Sequence, residues 1–568
     1  MPEQAYLHGR IAAPDPKEPK GQPRALAAIP TPERKTRFDN LFELPVFDPP
    51  GEKLIDLGAS MKGDPEDNQQ IPSGYTFVAL FVDHDITFDP IPEFDLEIFK
   101  QVQIQSGEEK EPLNFRTPRI DMDSVYGRGP NVDRYLYDRK GDKRKLLIGG
   151  TEEHPIDVPR NHQNTAIIGD PRNDENLIIS QLYLTFLKFH NAIVDYVDQG
   201  KVEDESIFEN GADTDAFEKA RQLAIWHYQW IVRYDLLPRI VDPEIIEDIV
   251  KNGRKLYRPE KEDTEPYIPH EFAVAAYRFG HSQVRTHYEI NESLGKSVRL
   301  FELFRGDRVT EERAIDWPKF FEIDGSQPQY SQKIDTKITE ALHDLPFINP
   351  KENQDPDLVD ELEKKNKLHK LTDLAVRNLL RGVDLGLPSG EDVVRTMQEN
   401  GIDVELKAFA KHLDLEKTPL WYYILKESEV EENGRCLGKV GGRIVGEVLI
   451  GLLELDPFSP FYTKANQNVK NWKPSLPADR EGDFNAVDLI KFAGVRLLLL
   501  TEPYLTGSDV RRIQEKLNAL SYIDIRVDGI YGPKTRDTVL EFQKQNNLNA
   551  VDGIVGPETR GALGLLSR

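Results

Sequence analysis

Phe77-Val-Ala-Leu-Phe-Val-Asp-His-Asp85 is the stretch from which the fold and the chemistry of this chain can be read together. Phe77, Leu80, Phe81 and His84 are spaced i, i+3, i+4 and i+7, which predicts a helix carrying His84 on its apolar face. A lone histidine in that setting is commonly a core residue with a satisfied hydrogen bond. Two flanking carboxylates are harder to place, because charges seldom sit beside an apolar stripe without a metal or a covalent partner. A second histidine repeats the pattern. In Val274-Ala-Ala-Tyr-Arg-Phe-Gly-His281 the helical face of His281 carries Val274, Tyr277, Arg278 and Val284, and Gly280 leaves room for a bulky group at the backbone. A third helix puts Leu371, Leu374, Ala375 and Asn378 on one face, with Arg381 a turn further on; a buried Asn needs hydrogen-bond partners, and an imidazole N–H would serve. Taken singly, each piece fits a structural role as well as a functional one.

The chain around these segments has 568 residues, enough for one large domain plus something small. Charged residues make up 30% and hydrophobic residues 38%, as in a globular protein with a large core. A net charge of −25 argues against nucleic acid or an anionic membrane surface as partner, since their phosphates would repel the chain; small molecules and cations remain. The single cysteine, Cys436, excludes intrachain disulfides and zinc sites built from several thiolates. The apolar runs, such as Val445 to Leu453, are shorter than the roughly 20 residues that span a bilayer, so no transmembrane segment is expected. Walker, His-Glu-x-x-His, Gly-x-Ser-x-Gly and Rossmann motifs are lacking. The N-terminus shows no secretory pattern, which leaves a cytoplasmic protein, a removed signal or another export route.

Residues 1–54 begin with Pro2, Pro14, Pro16, Pro19, Pro23, Pro30 and Pro32 among charges and are expected to form an extended arm. Residues 55–475 carry mostly helical periodicity, as in Leu177 to Val197, Phe217 to Tyr234 and Leu371 to Leu380, and are expected to be one large, mainly α domain. Residues 476–504 read as a linker or packing segment. In residues 505–568, Val527-Asp-Gly-Ile-Tyr-Gly-Pro-Lys-Thr-Arg536 recurs as Val551-Asp-Gly-Ile-Val-Gly-Pro-Glu-Thr-Arg560. Each Asp-Gly makes a turn and each Gly-Pro starts a helix. Amphipathic helices are expected at Ser508 to Leu520, with Ser508 as N-cap, and at Thr535 to Gln545. With its Val510-to-Leu517 opening and its Phe542-Gln543 pair, this three-helix unit resembles the peptidoglycan-binding-like domain of bacterial cell-wall enzymes. That resemblance implies a wall peptidoglycan or similar polysaccharide as partner, and a secreted or wall-associated protein.

The large domain carries five ordered stretches: Phe81-Val-Asp-His-Asp-Ile-Thr-Phe88, Thr117-Pro-Arg-Ile-Asp-Met-Asp-Ser-Val-Tyr-Gly127, Gly169-Asp-Pro-Arg-Asn-Asp-Glu175, Tyr277-Arg-Phe-Gly-His281, and Asn378-Leu-Leu-Arg381 with Gly386-Leu-Pro388. In this order they resemble the animal-type haem peroxidases, the peroxidase-cyclooxygenase superfamily of lactoperoxidase, myeloperoxidase and peroxidasin, in the form that bacteria also encode. The resemblance implies a mainly α fold and a haem b cofactor. It also implies reduction of hydrogen peroxide through a ferryl haem, followed by oxidation of small aromatic one-electron donors. His84 would be the distal base and Arg172 its catalytic partner. A neutral histidine is suited to moving a proton from one peroxide oxygen to the other, and a fixed guanidinium to stabilising the charge that develops. His281 would ligate the haem iron, and Asn378 would accept from its other ring nitrogen. Arg278 and Arg381 would contact the haem propionates. Asp83 and Glu175 match the carboxylates that form ester bonds to haem; Asn176 stands where a further methionine link occurs in myeloperoxidase. Asp85, Thr117, Arg119 through its carbonyl, Asp121 and Asp123 fall at calcium positions, a hard cation's oxygen set.

Leu80 departs from the family pattern, which has a Gln four residues before the distal histidine. An apolar side chain there puts halide oxidation in doubt, leaving iodide or thiocyanate as the accessible anions. Two other functions compete. A fatty-acid dioxygenase of the same superfamily would carry a tyrosine three residues before the proximal histidine, where this chain has Arg278. A haem-free wall-binding scaffold would have no use for His84, Arg172, His281, Asn378, Asp83 and Glu175 together.

Overall fold

The computed structural model describes residues 38–88, 114–150, 156–346, 364 and 368–563, less short stretches at 262–264, 292–293, 305–307, 311–312, 324–325, 466, 495–497, 501–503, 506–507, 521–524 and 549. The expected proline-rich arm therefore lies largely outside the described residues. Seven helices build the part that holds the site: α1 (Gly51–Ser60), α2 (Gly74–Ile86), α3 (Leu177–Asp198), α4 (Ala216–Ile231), α5 (Leu374–Asp384), α6 (Leu420–Glu431) and α7 (Lys439–Leu455). The described strands are short pairs, of which Asp67–Pro72, antiparallel to Tyr330–Gln332, leads the chain into α2.

Helix α2 is buried on nearly every side, as its apolar composition requires. Phe81 stacks on Phe186 of α3 with ring centroids 4.1 Å apart, and Tyr228 of α4 meets both rings edge-on. Asn176 caps α3 by accepting from the N–H groups of Ile178 and Ile179, at 3.0 and 3.1 Å. By length and composition α3 is long and apolar enough to cross a membrane; 83% of that apolar window is buried inside the protein. The Val445 to Leu453 run is the buried body of α7. Asp373 caps α5, and α1 crosses α5 at Gly58, where a Cβ would strike the backbone of Val376.

The segment around His281 differs from the single helix expected. Glu271–Ala275 forms a π turn, Ala276–Phe279 a 3₁₀ turn and Gly280–Gln283 one α turn. Each change of winding shifts the register of the faces, and π turns recur at functional sites.

The C-terminal part has its own core, built by Leu498, Leu505, Val510, Ile513, Leu517, Ile525, Tyr531, Val539, Phe542, Val555 and Leu563. Its helices are α8 (Ser508–Ala519), α9 (Pro533–Gln545) and α10 (Pro557–Ala562). Pro533 and Pro557 each occupy the first helical position, and Ser508 is the first helical residue of α8 rather than its cap. The repeat has a structural cause. Gln514 Nε2 donates to Asp528 Oδ1, the Ile530 carbonyl and Thr535 Oγ1, and Gln543 Nε2 makes the same three bonds to Asp552, Ile554 and Thr559. Leu498 also bridges Val555, while Leu476, Phe484 and Leu489 pack into the large core.

Candidate active site

A cavity of about 620 Å³ is lined by α2, by the turn over residues 171–176, by the segment around His281 and by α5. That size falls in the range of cofactor pockets. Asp83, His84, Arg172, Glu175, Arg278, His281 and Arg381 all line it, brought together from positions spread over almost 300 residues. The rest of the wall is largely apolar and includes Leu80, Phe88, Val274, Leu300, Phe301 and Leu345.

His84 is buried, and its Nδ1 lies 2.9 Å from Oδ1 of Asn173. An amide oxygen only accepts, so Nδ1 carries the proton and Nε2 keeps its lone pair. Burial, and next the charge of Arg172, push the imidazole down to about 3, which keeps it a neutral base near pH 7. Asn173, fully buried, is not among the residues the sequence singles out.

Arg172 is held on several sides. Its Nε and Nη2 donate to Asp170 at 3.1 and 2.7 Å, and Nη2 also donates to the carbonyls of His84 and Thr87, at 3.0 and 2.5 Å. The guanidinium lies 4.7 Å from the centroid of the Phe88 ring. Burial would raise the Asp170 carboxyl, but the charges of Arg172 and Arg116 outweigh it and hold the group far below the ordinary carboxylate range.

His281, half-buried, faces Asn378 of α5. Here the expected direction is reversed. Asn378 Nδ2 lies 2.7 Å from His281 Nδ1, while Asn378 Oδ1 accepts from Arg278 Nη1 at 2.8 Å. A guanidinium can only donate, so it claims the amide oxygen and leaves the amide nitrogen for the ring. This pairing puts the ring proton on Nε2. With the Asn378 amide turned over, its oxygen would accept from Nδ1 and leave the Nε2 lone pair for a metal. Tyr277, one turn before His281, stacks on Phe272 with centroids 4.7 Å apart.

Beneath α2 lies a second cluster. One carboxylate oxygen from each of Asp85, Asp121 and Asp123 falls within 4.8 Å of the others. Asp85 Oδ2 accepts from the N–H of Met122, and Thr117 Oγ1 donates to Asp121 at 3.0 Å. Met122 holds φ at 56°, a left-handed conformation that costs a non-glycine residue about 1–3 kcal/mol and persists where the surroundings enforce it. Asp85 Oδ1 is buried without a hydrogen-bond partner. Burial, with added repulsion from neighbouring carboxylates, raises all three carboxyls, so the cluster is short of positive charge. Arg119 sends its side chain toward Asp456 at 3.7 Å and onto the Phe458 ring, from where its charge offsets part of the rise at Asp121.

A profile of animal haem peroxidases matches residues 80–407, and one of peptidoglycan-binding domains matches residues 506–563. Peroxidasin homolog pxn-2 of Caenorhabditis elegans is 26% identical over 305 residues, 49% of this chain and 20% of its own length. Chorion peroxidase of Drosophila melanogaster is 22% identical over 350 residues, 58% of this chain and 40% of its own. The chain thus spans less than half the length of these curated relatives. Among solved structures, peroxidase A from Dictyostelium discoideum superposes with a TM-score of 0.53 at 16% identity, covering 80% of this chain and 93% of that one. Fatty acid alpha-dioxygenase from Oryza sativa gives 0.50 at 14% identity, covering 77% of each chain. Both likenesses speak to the fold alone.

Proposed function

The chain belongs to the animal haem peroxidase family, and from that premise we propose that it reduces hydrogen peroxide with a bound haem b and oxidises small aromatic one-electron donors. The observation that carries the reading is His84, a neutral base with its Nε2 lone pair free of Asn173, in the wall of the cavity that also holds Arg172 and His281. The residues present fit the cofactor: His281 would hold the iron, Arg278 and Arg381 offer cations to the two propionates, and Asp83 and Glu175 offer carboxylates for ester bonds from the same wall. Bound there, haem supplies the metal that holds peroxide and the electrons that split its O–O bond.

With haem bound, His84 would take a proton from one peroxide oxygen and return it to the other, which would leave as water. Arg172, held by Asp170, steadies the negative charge on the departing oxygen. The largely apolar wall would suit small aromatic donors. Leu80 offers no hydrogen bond to replace the hydration of a halide; a lost bond to a charged group is worth about 1.5–3 kcal/mol, roughly ten- to a hundredfold in rate. Bromide and chloride are therefore poor substrates, and iodide and thiocyanate, easily dehydrated, are the anions that remain. Calcium fits the Asp85, Asp121 and Asp123 cluster with Thr117 and the Arg119 carbonyl. The C-terminal unit directs the enzyme to wall peptidoglycan or a similar polysaccharide outside the cell. A pull-down with isolated peptidoglycan checks this: the full chain sediments and a chain ending at residue 494 does not, whereas equal behaviour would make the unit a structural cap.

One assay tests the main reading. Haem-loaded wild type oxidises a phenol with peroxide, His84→Leu falls by about 10²–10⁴-fold, and Leu80→Gln gains bromide turnover. A His84→Leu protein as fast as wild type would remove the assigned base, and unchanged bromide rates in Leu80→Gln would clear position 80 of any part in substrate choice.

A further inference from the structure

We infer that Asp170 is the positioning residue that sets Arg172 for its work on peroxide, with Arg116 holding Asp170 in turn; the inference rests on the peroxidase reading above. Asp170 has no exposed side-chain surface and sits between two guanidiniums. Its Oδ1 accepts from the N–H and Nε of Arg172, at 2.9 and 3.1 Å, and its Oδ2 accepts from Nη2 of Arg172 at 2.7 Å. This forked pairing fixes the plane of the Arg172 guanidinium as well as its place. Nη1 is the nitrogen that none of these bonds uses. Since Arg172 is in the cavity wall, that nitrogen remains for a ligand there.

Arg116 completes the holder. Its Nη2 and Nε reach Asp170 Oδ2 at 2.6 and 3.3 Å, its Nη2 reaches the Gly169 carbonyl at 3.2 Å, and its Nη1 lies 3.1 Å from Asp123 Oδ1. Asp123 belongs to the carboxylate cluster, so Arg116 links the cluster to the Arg172 holder through side chains alone. The backbone is braced as well. Gly169 is backed against the carbonyl of Ser124 with no room for a Cβ, which fixes where Asp170 begins. Both guanidiniums lie over the Phe88 ring, at 4.7 and 5.4 Å from its centroid.

Without Asp170, Arg172 would hang by Nη2 from two carbonyls of the α2 terminus, and the guanidinium could swing about that nitrogen. A misplacement of about 1 Å can cost 10²-fold in rate. A purely structural Asp170 would instead hold the loop and leave the reaction with peroxide untouched in folded protein.

The test uses the haem-loaded full chain and reads three quantities: the bimolecular rate with peroxide, cyanide affinity from the Soret shift, and the later donor-oxidation rate. Asp170→Asn keeps the shape and the bond from the Arg172 N–H but loses the forked charge. It is expected to slow the peroxide step about 10- to 100-fold, to weaken cyanide binding, and to leave donor oxidation nearly unchanged. Asp170→Glu keeps the charge between the two guanidiniums, so it protects the fold if the Asn variant fails to fold, and it is expected to lose the peroxide step in the same sense because the fork is displaced. Arg172→Lys combined with Asp170→Asn should be no slower than Arg172→Lys alone, since both remove one interaction. Wild-type peroxide rate and cyanide affinity in either folded Asp170 variant, or fully additive losses in the double variant, overturn the inference while the peroxidase reading stands. A wild type that does not react with peroxide overturns that reading, and this inference with it.

Discussion

Asn173 decides which nitrogen of His84 is basic, although the two residues are 89 positions apart in the chain. The same turn supplies Asp170, Arg172 and Glu175, so four residues of one short loop serve one cavity in four ways. Asp174 points elsewhere and pairs with Arg160 through two bonds of 2.6 Å. For the cofactor carboxylates covalent attachment is expected. Asp83 and Glu175 stand in the cavity wall, and esters from both would resist extraction with acidified butanone. After peroxide treatment, wild type is expected to retain haem, and Asp83→Ala, Glu175→Ala protein to release it. Complete extraction from treated wild type would show that no ester forms.

At the scale of elements, α2 joins the two centres, with His84 facing the cavity and Asp85 facing the carboxylate cluster. A cation in that cluster would pin the end of α2 to the Thr117 to Asp123 loop and stabilise both. Asp121→Ala is expected to lower the unfolding temperature and haem retention together, and metal analysis of active wild type to find about one calcium per chain. Calcium-free active protein would refute the site. Helix α2 and its histidine were legible in the sequence because the period of 3.6 is unbroken from Phe77 to His84. The segment before His281 reads as one helix because Val274, Tyr277, Arg278 and His281 keep regular helical spacing, which does not reveal the π turn over Glu271–Ala275 or the 3₁₀ turn over Ala276–Phe279. Asp170, Asn173 and Arg116 escaped notice for a different reason. Their roles lie in contacts between segments far apart in the chain, and in a linear sequence the Asp170-Pro171 pair signals only a turn. The direction of the Asn378 amide was likewise invisible, since it depends on which of two donors, Arg278 or His281, claims the oxygen.

At the scale of the whole molecule, the charge of −25 acts at low salt on anionic substrates and leaves neutral peroxide alone. Buried histidines add a pH dependence of stability. His227 bonds the Leu223 carbonyl through Nδ1 and accepts from the N–H groups of Ser475 and Leu476 through Nε2, and burial pushes it down to about 3. A folded value below the unfolded value of about 6.5 means that the unfolded chain takes up a proton the folded one refuses. The stability is complete above pH 6.5 and falls as the pH drops toward 3, by about 1.4 kcal/mol per unit. His227→Gln is expected to flatten this slope in denaturation midpoints between pH 6.5 and 4.5; an unchanged slope would assign the acid sensitivity to other groups.

His281 is expected to hold a haem iron in the cavity it shares with His84. Low-temperature spin resonance of the ferric protein, read beside its Soret band, tests this most directly. Wild type is expected to bind one haem per chain with a signal that His281→Ala loses or changes; His281→Ala protein that bound haem with an unaltered spectrum would contradict the claim.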